Sequence, residues 1–109
     1  MQLTESRIQQ EIVVWFTNQY CLKSHSPREL ILHVPNEQSQ HLIRVGVLPG
    51  ASDLILTYRG KLYWCEVKTP TGKQSPKQKD FEQRVTDLGY TYFITRSLDQ
   101  FQNQLQKLK

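Results

Sequence analysis

Residues 50–68 read GASDLILTYRGKLYWCEVK, and the fold turns on this stretch. LILTY and LYWCEV are rich in β-branched and aromatic residues and are apolar at successive positions, which predicts two central strands covered on both faces. Arg59-Gly60 between them reads as a two-residue hairpin loop. With that loop Tyr58 pairs with Lys61, and stepping outward residue by residue brings Asp53 opposite Glu66. Directly opposed residues on one sheet face have Cβ atoms roughly 4.5–5.5 Å apart. A strand's period of two keeps Lys68 on the face of Glu66.

Two carboxylates and an ammonium therefore converge at one end of strands otherwise built for burial. Like charges directly opposed repel, and one carboxyl would have its pKa raised unless a cation lay between them. Hard divalent ions such as Mg²⁺ or Mn²⁺ take carboxylate oxygens and relieve that repulsion. Charged residues at strand ends are commonly just solvated, so Glu66 and Lys68 alone would mean little. Asp53 in register is what gives the trio chemical meaning. That register depends on the loop, because a slip of one residue turns Asp53 to the opposite face.

On the N-terminal side, HLIRVGVLPG is a short, weaker extended segment, preceded by a polar loop over residues 36–40 and by a strand ELILHV ended by Pro35. The polar CLKSHSPRE connects this strand to a helix over residues 5 to about 20. Thr4 caps that helix, Glu5 favours its N-terminal dipole, and Ile8, Ile12, Trp15, Phe16 and Gln19 follow helical spacing. Glu5 falls one turn before Ile8 on the inward face, and Glu11 projects from the edge.

On the C-terminal side, TPTGKQSP is a turn cluster, and Ser75, Pro76 and Gln78 take the N-cap, N1 and N3 positions of a second helix. Phe81, Val85 and Leu88 face inward and Gly89 ends it. YTYFIT is another strand, and SLDQFQNQLQKLK a last helix with Leu98, Phe101, Leu105 and Leu108 on one face. The order is helix, three strands, helix, strand, helix. It predicts one α/β (α+β) domain spanning residues 1–109 around a mixed sheet of about four strands.

Fourteen Lys and Arg against ten Asp and Glu give a net charge of +4 over 109 residues, which suits a polyanionic partner without requiring one. The two cysteines, Cys21 and Cys65, have no zinc-type spacing, and Cys65 reads as a buried thiol. His25, His33 and His41 share no metal-ligand spacing. The N-terminus lacks the pattern of a signal peptide and no apolar run is long enough to span a bilayer, so a cytoplasmic protein with no membrane partner is expected.

Asp53 followed a hairpin later by Glu66-Val67-Lys68 resembles the PD-(D/E)xK nuclease superfamily, with its restriction-endonuclease-like core of helix, three-stranded meander, helix and fourth strand. Within it, ESRIQQEI, HVPNE, GASDLI, EVKTPTGKQSPKQ and DLGY with TYFITR resemble the virus-type replication-repair nuclease domain, VRR-NUC, over nearly the whole chain. Ser52 stands where that family commonly has Pro before the Asp.

The resemblance implies a metal-dependent endodeoxyribonuclease. Asp53, Glu66 and the Val67 carbonyl would hold Mg²⁺ or Mn²⁺, with Glu5 contributing directly or through water, and Lys68 would position the attacking water or stabilise the phosphorane. Glu11 is the rival to Glu5, and Asn36 and Glu37 match a family motif. The family also places a site glutamine at Gln78. As N3 of a capping box, Gln78 has a structural role as well. Lys73, Ser75, Lys77 and Lys79 around this helix start are candidate contacts to a nucleic-acid backbone. Stand-alone members resemble Holliday-junction resolvases acting as homodimers on branched DNA. A flap, single-strand or nicking nuclease, or a non-catalytic nucleic-acid-binding subunit, is the alternative. Tyr90, Tyr92 and Phe93 are expected to pack in the core rather than stack on bases.

Overall fold

The computed structural model describes residues 4–35, 44, 46 and 48–108. Asn36, Glu37 and half of the expected segment HLIRVGVLPG lie outside the described residues.

The first helix, α1, spans Glu5–Phe16 and is capped as expected, the Thr4 hydroxyl accepting from the Arg7 amide at 3.1 Å. Ile8, Ile12 and Phe16 are fully buried on one stripe. Each such side chain contributes about 1.5–3 kcal/mol of burial. The helix continues as a wider π-type turn over Thr17–Cys21, which brings the Tyr20 ring against Phe16 and Tyr58. Gln19 is exposed there, because the wider turn breaks the 3.6-residue spacing that would have kept it inward.

Strands β1 (Ile31–His33), β2 (Leu54–Tyr58), β3 (Lys61–Val67) and β4 (Thr91–Thr95) form one sheet in the order β1-β2-β3-β4. The first three are antiparallel, and β4 runs parallel to β3 after a crossover through helix α2, Pro76–Asp87. Helix α3, Leu98–Lys107, follows. The element order and the four-stranded mixed sheet are those expected.

The hairpin holds in detail: Arg59 and Gly60 both have positive φ, 51° and 82°, as a type I′ turn requires, and Tyr58 pairs with Lys61. The ladder runs out to Leu54 opposite Cys65.

Strand alternation sorts the core into two layers. Leu54, Leu56, Tyr58, Tyr63, Cys65 and Val67 pack with the stripes of α1 and α3, while Trp64 and Tyr92 pack with Phe81 and Val85 of α2. The α2 layer is partial. Leu32 and Leu62 on that face are 46% and 40% exposed, so of the two central strands only the C-terminal half of β3 is closed on both sides. Leu88 is exposed rather than inward, because α2 ends at Asp87 and residues 86–90 all lie at the surface.

On the outer edge of the sheet the Gln104 amide of α3 donates to the Ile94 carbonyl of β4 at 2.8 Å. Among the described residues no helix is long and apolar enough to cross a membrane.

Candidate active site

Asp53 sits at a bend just before β2, held from both neighbouring strands. Its carbonyl accepts from the Val34 amide at 2.8 Å, and its Oδ2 accepts from the Val67 amide at 2.8 Å. The side chain thus takes over where the backbone ladder with β3 stops, which fixes its carboxyl beside the end of that strand. Glu66 is fully buried there, and the Asp53 carboxyl lies within hydrogen-bonding reach of it. The two acids are neighbours, as expected from the hairpin, although the paired ladder itself ends one residue short, at Leu54 and Cys65.

Burial first, and then the hydrogen bond and charge of Asp53, push the Glu66 carboxyl up to about 9, against smaller opposing effects of the Lys68 charge and the Tyr92 hydroxyl. Lys68 is 7% exposed. Its amide donates to the Thr95 carbonyl at 3.0 Å, extending the β3–β4 pairing by one residue. Asp53, Glu66 and Lys68 are therefore brought together, as the alternation of the strands requires.

Gln78 forms the expected capping box and also reaches Glu66. Its Oε1 accepts from the Ser75 amide at 2.8 Å while the Ser75 hydroxyl accepts from the Gln78 amide at 3.2 Å, closing the capping box. A backbone N–H only donates, so this bond fixes which end of the Gln78 amide is oxygen. Its Nε2 is then left to donate to Glu66 Oε2 at 3.1 Å. One side chain starts α2 and orients the carboxylate.

Glu5 is not drawn into this cluster. Residues 4–7 are all exposed and burial begins only at Ile8, so the inward position expected for Glu5 does not hold: the first turn of α1 has no layer to pack against. Among the described residues no three His, Cys, Asp or Glu side chains gather as a metal site. Glu11 instead pairs with Arg7 at 3.8 Å. From α1 it is Gln9 that reaches the site: its Nε2 is 3.1 Å from His33 Nδ1, which lies 3.0 Å from the Asp53 carbonyl oxygen.

Three further groups serve the site without having been singled out. Tyr92 packs in the core as expected, on Phe81, but its hydroxyl also donates to Glu66 Oε1 at 3.3 Å, and Gln74 donates to that hydroxyl at 3.2 Å. Arg96 follows β4, and its Nη1 donates to the carbonyls of Thr69 and Gly72 at 2.7 Å each, holding the turn that leaves Lys68. A lone Arg after a strand carried no sequence signal beyond its place in TYFITR.

Lys73, Ser75, Lys77 and Lys79 are all exposed around the start of α2. Gly50, at φ +85°, lets the Asp53 loop sit against that start, since a Cβ there would lie 2.5 Å from the Lys77 carbonyl oxygen. Ser52 is fully buried, its hydroxyl donating to the Leu54 carbonyl at 3.3 Å.

No family model and no curated protein matches the chain. Solved structures do. One described as a VRR_NUC domain protein aligns over 98% of this chain and 88% of its own, with a TM-score of 0.80 and 24% identity. Another, described as a VRR_NUC domain, aligns over 98% of this chain and 100% of its own, with a TM-score of 0.69 and 21% identity. At these identities the shared property is the fold, and the chain has the VRR-NUC fold.

Proposed function

We propose that this chain, built on the VRR-NUC fold, is a member of that nuclease family: a metal-dependent endodeoxyribonuclease of a single domain that cuts branched DNA, four-way junctions foremost, as a homodimer. The observation that carries the reading is the Asp53–Glu66 carboxyl pair, Glu66 fully buried and Asp53 half-buried, with Lys68 beside it at the ends of two paired strands. A carboxyl pushed up to about 9 beside a second acid and a lysine fits such a site, since strongly shifted groups cluster at functional sites.

The donor set fits a hard cation. Two facing carboxyls and a backbone carbonyl are oxygens that suit Mg²⁺ or Mn²⁺, and a divalent charge would offset the burial and the Asp53 charge that push the Glu66 carboxyl up. Asp53, Glu66 and the Val67 carbonyl would hold the ion. Once bound, it supplies a water of lowered pKa and neutralises charge on the scissile phosphate.

The chain's own groups do the rest. Lys68 presents an ammonium, screened from bulk water, to the attacking water or to the charge that grows on phosphorus. Gln78 keeps Glu66 turned as an acceptor. Lys73, Ser75, Lys77 and Lys79 offer charge and donors to the DNA backbone at a helix N-terminus. The four-way junction and the homodimer are supported by the resemblance to stand-alone resolvases and by symmetry, because a two-fold dimer would present two sites to two strands.

The test incubates the protein with Mg²⁺ or Mn²⁺ and end-labelled four-way junction, flap, single-stranded and linear duplex DNA, with Asp53→Ala in parallel. Paired cuts near the junction that vanish in the variant are expected. Cutting confined to flaps or single strands would redirect the substrate assignment. Binding without cleavage under either metal would overturn the enzyme reading.

A further inference from the structure

The Glu66 carboxylate meets a donor on each oxygen, Gln78 on Oε2 and Tyr92 on Oε1. The second donor has a chain of support behind it. Gln74 Nε2 donates at once to Glu82 Oε1, at 3.0 Å, and to the Tyr92 hydroxyl, at 3.2 Å. A carboxylate can only accept, so Glu82 fixes which end of the Gln74 amide carries the hydrogens. The Tyr92 oxygen is then an acceptor towards Gln74, and its own proton is directed to Glu66. Packing of the Tyr92 ring on Phe81, at a centroid distance of 6.2 Å, sets the height of the hydroxyl above the sheet.

We propose that Tyr92, oriented by Gln74 and Glu82, is a positioning residue that holds the Glu66 carboxylate in the rotamer a divalent cation requires. The inference rests on the metal-dependent reading of the site and adds to it residues beyond the two acids, Lys68 and Gln78. With both outer positions of Glu66 occupied, the carboxylate cannot swing away from Asp53. Its remaining lone pairs stay turned towards the space the two acids share. Loss of such a supporting bond characteristically weakens metal binding by about 10- to 100-fold while leaving the ligands themselves in place.

Calorimetric titration of the full chain with MnCl₂ tests this, alongside the electron paramagnetic resonance line shape of bound Mn²⁺, for wild type, Tyr92→Phe and Gln74→Leu. Tyr92→Phe keeps the ring and removes only the hydroxyl. The expected result is about tenfold weaker Mn²⁺ binding with an altered line shape, and a smaller change of the same kind in Gln74→Leu. Gln74 lies in the turn before α2, so that variant keeps the test decisive should Tyr92→Phe fold poorly. Wild-type affinity and line shape in both variants would overturn the role of Tyr92 while leaving the metal site standing. A wild-type chain that takes up no Mn²⁺ would overturn the metal site itself, and the positioning role with it.

Discussion

Glu66 is the residue on which the chemistry and the stability of this protein meet. Its carboxyl, near 4.5 when unfolded, is pushed up to about 9 in the folded chain by burial and by Asp53. Between those values the folded chain binds a proton that the unfolded chain has released. The contribution to stability is therefore fully present below about pH 4.5 and is lost as pH rises through 9. Thermal unfolding in EDTA from pH 5 to pH 9 should show wild type losing ground steadily to Glu66→Gln, whose amide does not titrate. A constant difference between the two across that range would mean that Glu66 is already ionised at neutral pH. The pair was legible in advance because Glu66 lies on β3 and Asp53 immediately precedes β2, and those strands are joined by a two-residue turn. Tyr92 as a partner of Glu66 was not, because a parallel neighbour reached through a helix has no turn to set its register.

Among the elements, the two glycines flanking β2 and β3 do different work. Gly60 closes the hairpin at φ +82° in open space, with nothing within 4 Å of where a Cβ would stand. Gly60→Ala should cost about 1–2 kcal/mol in urea unfolding, from backbone strain alone, and leave Mn²⁺ binding unchanged. Gly50 has a similar φ of +85°, but a Cβ there would collide with the carbonyl of Lys77. Gly50→Ala should cost about 2–5 kcal/mol and also weaken Mn²⁺ binding, because relief of the clash parts the Asp53 loop from the start of α2. Equal effects of the two variants on metal binding would contradict this division. The hairpin glycine was readable from its neighbours in sequence. The role of Gly50 was not, since the helix it touches begins 26 residues later by number. The ends of helices misled for a related reason: periodicity continues past the last turn that has a layer to pack against, which is why Glu5 and Leu88 were expected inward and lie outside.

At the scale of the whole molecule the net charge is a modest +4, so the position of the charges matters more than their sum. Lys73, Lys77 and Lys79 stand exposed within seven residues of one another at the start of α2, beside the carboxyl pair. If this is where the DNA backbone lies, Lys77→Ala should weaken junction binding and lower the slope of log affinity against log salt by about 1, as measured by fluorescence anisotropy in EDTA. An unchanged slope would move the DNA path elsewhere on the surface.

The bond from Gln104 to the Ile94 carbonyl has a consequence for how copies of the protein can meet. An open sheet invites growth by strand addition at its rims, and here one carbonyl of the five-residue rim strand is capped by a side chain from the last helix while the other rim is a strand of only three residues. Neither offers a long template of free backbone groups among the described residues. Among the described residues, side-chain surfaces therefore offer a second copy more to meet than either rim does. The geometry of such an assembly would be dictated by shape and charge, and it could be rewritten by surface substitutions without disturbing the sheet that carries the two acids.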